Sequence, residues 1–228
     1  MKTSVIDYVL SGLAICLLLA VSAGLVWSFL PISKQIFLDY HVLVDFGLLL
    51  LLYGLFSALL VRTLLRIRPI DPGAHSMDSN TFTHWKLITV VYRLGQSALL
   101  PMTPVFLKPV IETLFGARIG RDVALGGVID DPYMVCIGDG AVLGNASLIS
   151  GNFISGGLLT CGKVLIGAGA TIGANSVIFP GVEIGDNATL VGGSYVISGT
   201  KVPAGETWRG NPARKWLQQA VTQTPAGD

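Results

Sequence analysis

Few side chains in this sequence can do chemistry, and their surroundings limit what that chemistry is. Asp130 and Asp131 stand together ahead of Pro132. A carboxylate serves as a general base at neutral pH when desolvation raises its pKa, but an Asp before a Pro is also an ordinary way to open a turn. Cys161 becomes a nucleophile only if its pKa is lowered. Lys163 is its only basic neighbour, so a small buried residue is the plainer reading. The histidines are His41, His75 and His84, and none follows residue 84. The usual proton carrier at neutral pH is therefore missing from the rest of the chain. Cys16, Cys136 and Cys161 form no CxxC pair and read as reduced thiols.

The elements around these residues follow from a period of six. Ile166, Ile172, Ile178, Ile184, Leu190, Val196 and Val202 are evenly spaced, and the register continues backward through Ile149, Leu143, Ile137, Leu125 and Ile119. It breaks at Asp131. It also slips by one residue between Ile149 and Ile166, where an insertion or loop is expected. Neither a helix nor an ordinary strand has this period. One short strand and one turn per hexad does, with three such faces closing a triangular coil. The aliphatic residue points inward, and small residues four places on (Ala170, Ser176, Ala188, Ser194, Thr200) occupy the corners. This is a parallel β-helix of hexapeptide repeats over residues 119–207, about five coils, with residues 208–228 as cap and tail.

The rest of the chain is apolar. Of 228 residues, 51% are hydrophobic and 13% charged, and the mean hydropathy is +0.65, against roughly a quarter charged in soluble domains. The net charge of +1 gives no electrostatic reason for a nucleic-acid partner. Tyr8–Leu30 carries no charge and Val42–Val61 only Asp45. Residues 1–68 therefore read as a transmembrane hairpin with spans at about 8–30 and 42–61. Arg62, Arg66 and Arg68 follow the second span, while the hairpin loop holds only Lys34 and the N-terminus Lys2. That bias places both termini and the β-helix in the cytoplasm. A cleaved signal peptide ending near Val21–Ala23 is the alternative, but the run stays apolar to Leu30 and a second span follows. In residues 69–118, a polar linker (Pro69–Thr81) precedes the apolar Phe82–Leu107. A third span would put Arg93 in mid-membrane. An interfacial helix, with Trp85 and Tyr92 at the headgroups and Lys86, Arg93 and Lys108 on anionic lipid, is one reading. A helix packed on the β-helix domain is the other.

The stretch IGAGATIGANSVIFPGVEIGDNATLVGGSYV, followed by WRGNPARKW, resembles the hexapeptide-repeat acyltransferase superfamily, with Gly210–Ala213 (GNPA) as its ending. Asp131–Gly144 resembles the entry to the active-site region of many members. Asp71–Gly73, Phe82, Trp85 and Leu114–Gly120 further resemble the membrane module that ends ε-poly-L-lysine synthetase-type peptide synthetases, here without adenylation or carrier domains. The resemblance implies a left-handed coil, a homotrimer, and transfer of an acyl or aminoacyl group from a CoA or carrier-protein phosphopantetheine thioester. A carrier protein or peptide synthetase is then an implied partner, beside membrane lipid. The implied catalytic His falls on Gly151 or Asn152. With no His there, Asp130, Asp131 and Asn152 are the candidates for orienting an acceptor, and an amine needs less help than a hydroxyl. Trp208, Gly210, Asn211, Arg214 and Lys215 are the implied donor-side residues, Arg214 and Lys215 for phosphate, although capping the open coil would also explain this ending. A γ-type carbonic anhydrase on the same fold needs three His ligands, which the repeat lacks. A catalytically silent trimeric scaffold is the competing reading.

Overall fold

The computed structural model describes residues 4–216, so Lys2 and the tail from 217 to 228 lie outside the described residues. Helix α1 (Val5–Phe37) opens on a capping box: the Ser4 amide donates to the Asp7 carboxylate at 2.8 Å, and the Asp7 amide donates to the Ser4 hydroxyl. It stops at Leu38, whose φ of 49° leaves the helical region. One 3-10 turn, Leu38–Tyr40, leads into α2 (His41–Ile67). The two helices fold back on each other, with Leu17, Leu18 and Val21 near Phe56, Leu59 and Leu60.

Helix α3 (Asn80–Leu99) is capped by Ser79, whose hydroxyl accepts from the Phe82 amide at 3.2 Å. It packs along α2 at close range. A Cβ at Gly54 would lie 2.3 Å from Leu99 Cγ, and one at Gly95 would lie 2.5 Å from the Ser57 Cβ. A short helix α4 (Lys108–Leu114) follows. Arg62 of α2 donates from Nε to the Leu114 carbonyl at 2.8 Å and from Nη2 to the Thr113 carbonyl at 2.6 Å. The Leu114 carbonyl is one that the end of α4 leaves open, and the Thr113 carbonyl also accepts from the Gly116 amide at 3.1 Å.

The interfacial reading of Phe82–Leu107 is corrected for α3. Phe82, Trp85, Ile88, Val91 and Tyr92 are all buried. Lys86 bonds Asp7 of α1 rather than lipid, Arg93 bonds Asp130 at 2.9 Å, and Lys108 bonds the Gly127 carbonyl. The apolar face of α3 is covered by α2 and by the neighbouring turns of the β domain, which remove it from solvent. Exposed apolar side chains are Leu94 within α3 and, after it, Val105, Phe106 and Val110.

From Arg118 the chain winds as a parallel β-solenoid of about five turns. The first face stacks Arg118–Ile119, Val135–Ile137, Val164–Ile166, Glu183–Ile184 and Lys201–Val202. The second stacks Ala124–Leu125, Val142–Leu143, Thr171–Ile172, Thr189–Leu190 and Thr207–Arg209, closed by the antiparallel strand Arg214–Lys215. The third stacks Val128–Asp130, Leu148–Ser150, Val177–Ile178 and Tyr195–Val196. The period-six residues fill the interior as expected: Ile172, Ile178 and Val196 are wholly buried, each beside its equivalents one coil away. Coils approach so closely that a Cβ at Gly173 would sit 2.3 Å from the Gly192 amide nitrogen.

Two departures from the repeat have structural causes. Where Asp131 breaks the pattern, Ile129 takes the inward place two residues early and pairs with Ile149. Asp131 itself turns the chain, with φ 54°. The expected insertion after Ile149 is a hairpin of Asn152–Ser155 and Leu158–Cys161, turning at Gly156 and Gly157 with φ of 56° and 78°. Gly73–Ser76 adds to it as a third strand, with His75 opposite Leu159. The linker expected at Pro69–Thr81 is thus partly strand.

Candidate functional site

Asp131 and Asn152, singled out from sequence, come together. Asn152 Nδ2 donates to Asp131 Oδ2 at 2.7 Å, Trp85 Nε1 to the same oxygen at 3.2 Å, and the Tyr133 hydroxyl to Oδ1 at 3.2 Å. The Asp131 amide in turn donates to the Tyr92 hydroxyl at 3.3 Å. Asp131 is wholly buried. Burial raises its pKa to about 6, and the bonds from Asn152, Trp85 and Tyr133 hold it from rising further. Trp85 and Tyr92 belong to α3, so this carboxylate locks the helices to the solenoid. Asp130, one residue away, is half-buried and paired with Arg93.

Other candidates are also occupied. Cys161 is buried beside the cluster, and its thiol is pushed up to about 12 by burial and then by the Asp131 charge. It holds no thiolate at neutral pH. His75 bonds the Asp71 carbonyl at 2.9 Å from its strand, and His84 the Arg68 carbonyl at 2.9 Å. Glu112 of α4 is buried against Gln96, which donates at 2.7 Å, and burial lifts its pKa to about 7.

An open groove of about 1270 Å³ runs along the first face of the solenoid. Its floor is the outward positions of successive coils: Arg118, Cys136, Leu165, Glu183 and Lys201. One end is overhung by Arg62, Leu65 and Arg66 of α2, and the other reaches Pro203 and Ala204. Five strands at about 4.8 Å spacing make it about 20 Å long. Sequence reasoning missed this groove. The signal was present, because each floor residue precedes the inward aliphatic of every third hexad. The overhang of α2 is a long-range contact with no local signature.

The donor-side candidates lie together on the closing hairpin of the solenoid. Trp208 is half-buried against the core and donates to Glu206 at 2.9 Å. Lys215 also bonds Glu206, which offsets its charge. Arg214 is exposed and donates Nη1 to the Ala213 carbonyl at 3.2 Å. Gly210 takes φ 98°, and Asn211 precedes a cis Pro212. Capping is evident in the way Trp208 and Ala213 cover the last coil, and Arg214 remains free to meet an anion.

Residues 163–198 match the family described as the hexapeptide repeat of succinyl-transferase. The chain is 37% identical over 122 residues to YvoF of Bacillus subtilis (strain 168), an acetyltransferase by name, covering 53% of this chain and 66% of that protein. The chain thus carries the repeat of the hexapeptide-repeat acyltransferase superfamily. It is also 28% identical over 120 residues to a delta-poly-L-ornithine synthetase of Acinetobacter baumannii (strain AB307-0294), covering 52% of this chain and 9% of that one. A solved hexapeptide-repeat acetyltransferase of Vibrio cholerae O1 biovar eltor, complexed with acetyl coenzyme A, overlays with a TM-score of 0.42 at 26% identity, over 45% of this chain and 60% of that one. The chain spans less than two thirds of the length of each of these relatives.

The resemblance to that superfamily makes Gly151 informative. Gly151 is buried, and a Cβ there would lie 2.6 Å from the Met134 Cβ and 3.2 Å from the Asp131 Cβ. Of the two positions at which the resemblance implies a His, Asn152 carries a side chain bonded to Asp131, and Gly151 has no room for one. The space beside Gly151 is filled by the seam between helices and solenoid.

Proposed function

We propose that this protein is a membrane-anchored acyltransferase of the hexapeptide-repeat type. It moves an acyl or aminoacyl group from a CoA or carrier-protein thioester to an amine. The observation that carries this reading is the groove on the first face. It is open, about 1270 Å³ in volume, and runs past all the coils, which suits an extended thioester arm. In this reading the donor enters from the C-terminal coils, and Arg214, on the hairpin that closes the neighbouring second face, meets its phosphate outside the groove. No His lies in the groove, and Glu183, its one acid, is paired with Lys201 at 3.0 Å. Rate enhancement then comes from holding donor and acceptor in line, and an amine that arrives neutral needs no strong base.

Anchoring is supported by α1 and α2. The helical run Val5–Ile67 contains an 18-residue window of mean hydropathy 2.5, of which only 17% is buried inside the protein. A helix in the core of a soluble protein would be mostly covered. Read as a two-span hairpin with Arg62, Arg66 and Arg68 at its exit, it supports a cytoplasmic location for both termini and the solenoid. Three copies about a shared threefold axis complete the assembly in this reading.

A silent trimeric scaffold is the second reading, favoured by the filled position at Gly151 and the sealed Asp131. Titration of the detergent-solubilised protein with coenzyme A and acetyl coenzyme A, followed by calorimetry, separates the two. Binding that Arg214→Ala weakens about tenfold supports the transferase. Intact oligomer without binding of either thiol compound or of a carrier-bound thioester leaves the scaffold.

A further inference from the structure

We propose that the α2 end of the groove binds the phosphate headgroup of an anionic phospholipid drawn from the bilayer. This rests on the reading that α1 and α2 span the membrane. Three guanidinium groups line that end: Arg62 and Arg66 from α2, and Arg118 from the first coil opposite. Arg62 and Arg66 are four residues apart and share a helix face. They come directly after the apolar run of α2, at the depth where headgroups would lie. Arg118 belongs to the solenoid, so the charges approach from both walls.

Among the described residues none of the three arginines forms an ion pair. The one acid of the lining, Glu183, is paired farther along with Lys201. The positive charge at this end is therefore uncompensated. Arg62 is also fixed in place: two of its five N–H donors bond the Thr113 and Leu114 carbonyls, and the rest of its planar fork is unspent. A planar fork held in position suits a phosphate diester better than a mobile amine does. Leu65 and Ile119 beside these groups offer an apolar wall to the glycerol and upper acyl carbons. Attraction of basic residues to an anionic leaflet in general would draw equally on Arg68, which is exposed, bonds Thr81 and does not line the groove. The groove makes Arg118, not Arg68, the discriminating residue.

The experiment incubates the full-length protein, in mild detergent, with equal amounts of dioleoylphosphatidylglycerol and dioleoylphosphatidylcholine, and reads retained lipid by native mass spectrometry. The expected result is one phosphatidylglycerol per chain in preference to phosphatidylcholine. Retention should fall about tenfold in Arg118→Glu and be unchanged in Arg68→Glu. Thermal unfolding confirms that both variants fold. Equal retention of the two lipids, equal effects of the two substitutions, or no retained lipid overturns the proposal, and so does occupancy of this end by coenzyme A alone. Carbonate extraction of native membranes separates failures. Protein released by carbonate removes the anchoring reading and this inference with it, whereas protein that stays with the membrane but retains no phosphatidylglycerol removes this inference only.

Discussion

Replacing Asp131 tests whether this carboxylate is a structural lock or a base awaiting substrate. Its pKa stands at about 6 in the folded protein against 3.8 for the free group, because burial penalises the charge. Two pH units correspond to about 3 kcal/mol. Between these values the folded state binds the proton and the unfolded state does not, so stability falls as pH rises from about 4 to about 6. Asp131→Asn removes the charge and keeps most of the bonding. Its carbonyl can accept from Trp85 and Asn152, while its amide faces the Tyr133 hydroxyl, which can also accept. Asn also tolerates φ near 54°. At pH 7 the Asn variant should therefore match or exceed the parent, by up to about 3 kcal/mol, with the difference gone below pH 4. Asp131→Ala leaves the buried Trp85 donor and the half-buried Tyr133 and Asn152 donors without an acceptor, at about 1–3 kcal/mol each. It should lie at least about 3 kcal/mol below the Asn variant at either pH. Thermal unfolding in detergent, followed by tryptophan fluorescence at pH 4 and pH 7, reads all of this. An Asn variant as unstable as Ala would refute the lock. An Asn variant that keeps its stability but loses acyl transfer more than about tenfold would restore Asp131 as the base.

Ile178→Asp should abolish cooperative folding, because it places an unpaired charge among Ile149, Val196 and the rest of the core, costing several kcal/mol. Size-exclusion chromatography of soluble, monodisperse variant would count against the stacked interior. Gly185→Ala puts a methyl 2.4 Å from the Ala204 amide nitrogen, which is backbone and cannot rotate away. It should lower the unfolding temperature by several degrees, and an unchanged value would mean the coils can spread. Cys161 should resist maleimide labelling at pH 8, where a thiol held up to about 12 has almost no thiolate; rapid labelling of folded protein at that site would show that the helix seam opens. A reporter fused after Asp228 should behave as cytoplasmic, and one exposed outside the cell would reverse the topology drawn from Arg62, Arg66 and Arg68.

The solenoid was legible because its rule is local. An inward aliphatic every sixth residue needs only neighbouring coils to be satisfied, and from Ile166 to Val202 each such residue stacks where the period puts it. The seam was not legible, since its bonds join residues far apart in sequence. Trp85 meets Asp131 from α3, and Gly73–Ser76 meets Leu158–Cys161 as a strand. Nothing within either segment announces the other. Trp85 and Tyr92 in particular looked like headgroup anchors because an aromatic ring with one polar atom suits both environments, and only the buried carboxylate opposite them decides which. The absent His has its explanation in that same seam. A His side chain at 151 would have to occupy the space of Met134 and Asp131, so a single substitution there cannot restore the base, and one at Asn152 would break its bond to Asp131. On the proposed reading, transfer chemistry on this solenoid relies on the groove of the first face, where position and an already neutral amine take over what a base would otherwise supply.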